Sequence, residues 1–174
     1  MSERRHVVLI GLPGSGKTTV GQQVAAALGA PHVDVDAVLV RQMQMPVARI
    51  FAEFGETRFR EVERQAVRAA LADEPSIVTP GAGWAAQPGQ IEVARTSAVL
   101  IYLRTMALTA AKRIEGTGDR PLLVQGDAFG TLREMLQVRE PFYSRADHDV
   151  KTDARPLQAV VDDVAALARS TAGW

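Results

Sequence analysis

The chain is 174 residues long, with 47% hydrophobic and 23% charged residues, the size and balance of one globular domain able to bury its own core. Its twenty basic residues are matched by twenty acidic ones, so no electrostatic footprint for nucleic acid is present and none is expected as a partner. Cysteine is absent, which excludes a disulfide framework and a thiolate metal centre. The first apolar run is too short for a signal-peptide core or a membrane span, and a cytoplasmic location with no membrane partner is expected.

Short β-branched runs alternate with longer alanine-, glutamate- and arginine-rich stretches whose apolar residues recur at helical spacing, and this predicts an α/β fold around a parallel sheet. In chain order, strands are expected at His6–Ile10, His32–Val35, Ser76–Thr79, Ala98–Leu103 and Asp149–Thr152. The intervening periodicity predicts helices at Gly16–Leu28, Asp36–Gln44, Val47–Glu53, Glu56–Leu71, Gln90–Ala94, Ala107–Ile114, Ala128–Ser144 and Leu157–Ala168, several bounded by prolines. The stretch from Glu115 to Asp127 is glycine-rich and without period, and reads as a mobile loop within a single domain.

Directly after the first strand comes Gly11-Leu-Pro-Gly14-Ser15-Gly16-Lys17-Thr18, which fits G-x-x-x-x-G-K-[ST] in the strand-to-helix context that the motif requires. Its glycines let successive N–H groups turn onto phosphates, and the helix start adds partial positive charge. Gly14, Ser15, Gly16, Lys17, Thr18 and Thr19 are therefore the candidate nucleotide-binding positions, with Lys17 reaching the β- and γ-phosphates and the Thr18 hydroxyl a ligand to Mg²⁺. ATP and Mg²⁺ are the implied cofactors.

P-loop enzymes commonly place an aspartate near the metal at a strand end. Here the strand at 98–103 runs into Arg104, and only Val33-Asp34-Val35-Asp36 runs into acids. Strand alternation puts both carboxylates on one face, so Asp34 is expected in the magnesium shell and Asp36 at the acceptor. Asp36 also competes for the simpler role of helix N-cap, with Asp34 then a solvated turn acid.

The P-loop, Val33-Asp34-Val35-Asp36, Ile50-Phe51 followed by Gly55-Glu56-x-x-Phe59-Arg60-x-x-Glu63, a glycine turn, Arg120-Pro121-Leu122 and Arg139-x-Pro141-x-Tyr143 occur in an order that resembles the shikimate kinase family. The resemblance spans about His6 to Leu167. It implies a three-layer α/β/α P-loop fold with strand order 2-3-1-4-5, monomeric, transferring the γ-phosphoryl of ATP to the 3-hydroxyl of shikimate on the route to the aromatic amino acids. It implies that Asp36 holds the acceptor hydroxyls and that Arg60 and Arg139 bind its carboxylate, a role suited to guanidinium groups, which pair with carboxylates through charge-assisted bonds. Taken alone, Arg60 reads as a surface ion-pair residue and Arg139 as a helix-terminal cation. Phe51 and Phe59 are expected near the acceptor, or simply in the core. The lid falls on residues 113–121, with Arg120 the catalytic cation that closes onto the phosphates, and with Arg113 and Arg155 packing on the adenine.

The resemblance fails at one point. Where the family has three glycines against the acceptor ring, this chain has Gly81-Ala82-Gly83, flanked by Pro80 and Trp84. A methyl at Ala82 narrows the pocket if that residue needs positive φ, and is harmless if its backbone angles are ordinary. Two other readings stay open on the sequence: a kinase of another hydroxy acid such as gluconate, and a nucleotide-binding module without transfer.

Overall fold

The computed structural model describes residues 3–115 and 127–174. The strands β1 (His6–Ile10), β2 (His32–Asp34), β3 (Ile77–Thr79), β4 (Ala98–Arg104) and β5 (His148–Lys151) form one sheet in the order β2-β3-β1-β4-β5. Every pairing is parallel. Central β1 is buried along its whole length, and β4 in all but its last residue. A sheet covered on both faces requires uninterrupted apolar strands, and Val7-Val8-Leu9-Ile10 and Ala98 to Leu103 supply them.

Two cores flank the sheet. On one face α1 (Lys17–Leu28) and α7 (Leu157–Ala172) pack Val20, Val24, Val160 and Val164 against Val7, Leu9 and Ile101. On the other, α2 (Val35–Met43), α3 (Val47–Ala72), α4 (Gln90–Arg95), α5 (Ala107–Ile114) and α6 (Ala128–Tyr143) cover Val8, Ile10, Leu100 and Tyr102. The strand order is the one expected from the family likeness. Because all five strands run in one direction, their C-terminal ends share one edge of the sheet, the edge at which ligands bind in open α/β folds.

Two boundaries move with consequence. The second strand stops at Asp34, and Val35 already opens α2. The two expected helices at 47–53 and 56–71 are one segment broken at Gly55, whose φ of 79° and ψ of 168° lie outside the helical region. Such angles are accessible to glycine and strained for other residues. The break puts a kink between the Val47 end and the Phe59-Arg60-Glu63 end. The expected loop and its Arg120 fall largely within residues 116–126, outside the described residues.

Candidate active site

At the end of β1 the loop turns through Gly11, Gly14 and Gly16, with φ of 152°, 79° and 91°. Gly14 is also enforced by space: a Cβ there would stand 2.6 Å from the Ala110 carbonyl of α5. Lys17, largely buried, donates from Nζ to the carbonyls of Gly11 and Leu12 at 2.9 Å each. Thr18 and Thr19 are exposed in the first turn of α1, where unpaired helix N–H groups and the helix dipole favour an anion. Arg113, at the end of α5, donates to the Gly14 carbonyl and to the backbone and hydroxyl oxygens of Thr152, all at 3.3 Å. It thereby ties the P-loop to the loop after β5. Arg155 shares that loop but turns elsewhere, pairing with Asp163 of α7 at 2.8 Å and donating to the Lys151 carbonyl.

A second group of side chains gathers around the turn that follows β3. Arg60 is 14% exposed and pairs with Glu63 at 3.0 Å and Glu56 at 3.4 Å. Its guanidinium also lies over the rings of Phe59 and Phe51, 5.3 and 5.8 Å from their centres. This is more than a surface ion pair at helical spacing, because Glu63 has no exposed surface at all. Gln87 donates to the same Glu63 Oε1 at 3.0 Å, and Arg64 holds the Gln87 side chain in turn. Burial pushes the Glu63 carboxyl above its ordinary value, Arg60 opposes that rise, and the nearby Asp36 charge adds to it.

The glycine turn packs directly onto these groups. A Cβ at Gly83 would overlap the Arg60 guanidinium, and one at Gly81 would overlap Glu63 Oε2 and stand 3.6 Å from Asp36 Oδ1. Asp36, Arg60 and Glu63 are thus brought together against Gly81 and Gly83. Ala82, between them, does not have positive φ, so its methyl costs no backbone strain. Its carbonyl accepts from the Tyr143 hydroxyl at 2.7 Å, and the positive charge of Arg139 lies near enough to act on that hydroxyl. Trp84 turns into the core, 1% exposed.

Strand alternation does not account for the two aspartates. Because β2 ends at Asp34, it is Asp34, not Asp36, that caps α2, accepting from the Ala37 N–H at 3.3 Å. Asp36 lies in the first helical turn and reaches the glycine turn from there. Glu63, Gln87 and Tyr143 were not among the predicted site residues. The available pointers were modest: Glu63 and Tyr143 sit three and four residues from Arg60 and Arg139, on the same helix faces.

Residues 13–168 match the family model described as shikimate kinase. The chain belongs to the shikimate kinase family. The shikimate kinase of Mycobacterium avium is 40% identical over 155 residues, 88% of each chain. That of Caldanaerobacter subterraneus is 35% identical over 160 residues, covering 92% of this chain and 94% of its own. Among solved structures, a shikimate kinase from Acinetobacter baumannii in complex with shikimate superimposes with a TM-score of 0.91 at 26% identity, covering 96% of this chain and 94% of the other. Shikimate kinases are ATP-dependent phosphotransferases, and the P-loop and the acidic-basic cluster at one sheet edge fit the two halves of that reaction.

Proposed function

We propose that this chain transfers the γ-phosphoryl group of ATP to the 3-hydroxyl of shikimate. The observation that carries the reading is the Arg60–Glu63–Asp36 cluster packed against Gly81 and Gly83. An acceptor with one carboxylate and several hydroxyls suits that set: arginine for the carboxylate, aspartate for the hydroxyls, and side-chain-free backbone for a ring to lie against. Each charge-assisted bond to the carboxylate contributes about 1.5–3 kcal/mol. Arg139 is proposed as the second carboxylate ligand and Ala82 as part of the acceptor-contacting turn.

On the nucleotide side, Gly14, Ser15, Gly16, Lys17, Thr18 and Thr19 are proposed to cradle the phosphates, with Lys17 on the transferring end. Asp36 is proposed to hold the acceptor hydroxyl and to accept its proton as the oxygen attacks phosphorus. For magnesium, the Thr18 hydroxyl and the Asp34 carboxylate are the proposed protein oxygens. Magnesium keeps several waters and is commonly held by one or two protein oxygens together with substrate phosphates. When bound, it offsets charge on the phosphate oxygens. Arg113 and Arg155 are proposed at the adenine, and Arg120 as the cation that joins the phosphates, on the strength of the family likeness. A cytoplasmic monomer belongs to the same proposal and has the same basis.

Identifying the product tests the reading. Incubation with ATP, Mg²⁺ and shikimate is expected to give the 3-phosphate, recognisable by coupling of phosphorus to the ring proton at that carbon. Phosphate on another hydroxyl would overturn the assigned orientation.

A further inference from the structure

Gln87 lies just beyond the glycine turn, and two successive backbone turns tie it there: the Trp84 N–H donates to the Gly81 carbonyl and the Gln87 N–H to the Trp84 carbonyl, at 3.1 Å each. Trp84 pins the middle of that run in the core. The segment therefore meets the Arg60 group twice, with the Gly83 backbone against the guanidinium and with the Gln87 side chain on Glu63. A carboxamide can turn either end towards a neighbour. Here Arg64, which can only donate, takes Gln87 Oε1 at 2.5 Å, so the amide nitrogen is the end that faces Glu63 Oε1, 3.0 Å away. Arg60 donates to the same Oε1, also at 3.0 Å. That oxygen thus receives two donors, whereas Glu63 Oε2 meets none among the described residues. A carboxylate without exposed surface depends on such donors to keep its charge. The charged groups that act on it are Arg60, from its own helix, and Asp36, from α2.

We propose that Gln87 is a positioning residue for the acceptor: oriented by Arg64, its amide clamps the Glu63 carboxylate in the place from which Glu63 holds the Arg60 guanidinium against the glycine turn. The inference rests on the acceptor reading above and deepens it by a side chain that acts through Glu63 and Arg60. A glutamine–arginine contact on a protein surface would be replaceable by water. This one ends on a carboxylate that has no exposed surface, where a lost donor leaves the acceptor oxygen short of a partner.

The test pairs Gln87→Leu, which keeps the bulk and removes both bonds, with Arg64→Met, which keeps the apolar stem and removes the orienting donor. With wild type turning over shikimate, Gln87→Leu is expected to raise the acceptor KM about fivefold while the ATP KM stays within about twofold. An unchanged acceptor KM, or equal rises in both constants, overturns the proposal. Arg64→Met is expected to raise the acceptor KM about twofold by itself and to add almost nothing on top of Gln87→Leu, because its effect passes through the amide. Effects that simply multiply in the double variant refute the relay. A further readout does not depend on which acid is the acceptor. The Glu63 side-chain carboxyl carbon resonance, assigned through Glu63→Gln, is expected to titrate about half a pH unit higher in Gln87→Leu, since a donor to the charged form is lost. A midpoint that stays in place refutes the clamp. A wild type that ignores shikimate but shows that displacement has lost only the substrate assignment.

Discussion

The Arg60 guanidinium lies 3.0 Å from Glu63, which has no exposed surface, and 3.4 Å from Glu56, which is 65% exposed. Two acids on one arginine are therefore not equivalent. An exposed partner at helical spacing contributes about 0.3–0.5 kcal/mol, whereas a buried one fixes the orientation in which the fork meets its ligand. Glu63→Gln is expected to raise the acceptor KM about tenfold with the ATP KM unchanged, and Glu56→Gln to move it less than about twofold. Steady-state kinetics of the two variants side by side checks the ranking.

The same carboxylate sets a pH dependence. Burial holds the Glu63 pKa above its ordinary value, so the native protein binds the proton more tightly than the unfolded chain. Glu63 then contributes stability that is fully present below the unfolded-state pKa and is lost as pH rises through the raised native value. Acceptor binding runs in the opposite sense, because protonation removes the charge that holds Arg60. On acidification through the interval just above the ordinary carboxylate range, the acceptor KM is expected to rise, and the Glu63 share of stability to increase. In Glu63→Gln both slopes should vanish from that interval, as measured by Tm and KM across the pH series.

The glycine turn offers a paired comparison. A Cβ at Gly83 collides with Arg60, while Ala82 already carries one at ordinary φ. Gly83→Ala is expected to raise the acceptor KM at least about tenfold by displacing the guanidinium, with small loss of Tm. Ala82→Gly should leave both constants within about twofold, since no strain is relieved. A large gain in acceptor affinity from Ala82→Gly would show instead that the methyl obstructs the pocket.

Much of this arrangement was legible in the sequence, and the limits have physical reasons. The strands and the helices around them follow from apolar runs and period, and the P-loop follows from a motif whose glycines are needed at defined positions. The cap of α2 falls on Asp34 rather than Asp36 because a strand only three residues long ends one residue earlier than its apolar pattern implies, and that single shift hands the helix cap from one aspartate to the other. Arg60 could not be told from a surface cation by spacing alone; the burial of Glu63, set by packing against the distant turn at Gly81, makes the difference. The Tyr143–Ala82 bond spans 61 positions in the chain, and local pattern carries no information about such a contact.

Lys17 donates to two carbonyls of its own loop, so it organises the cradle as well as carrying charge. Lys17→Ala is expected to lower kcat by at least about 100-fold while the far-UV circular dichroism stays that of the wild type. Retention of more than about a tenth of the wild-type kcat would remove Lys17 from the transferring end.

The most direct measurement is ADP release with ATP and Mg²⁺, run in parallel with shikimate, quinate and gluconate. Shikimate is expected to stimulate release at least about tenfold over the rate without acceptor, with the other two acids close to that background. Stimulation by gluconate or quinate with none by shikimate, or no response to any of the three, would contradict the assignment of the acceptor site.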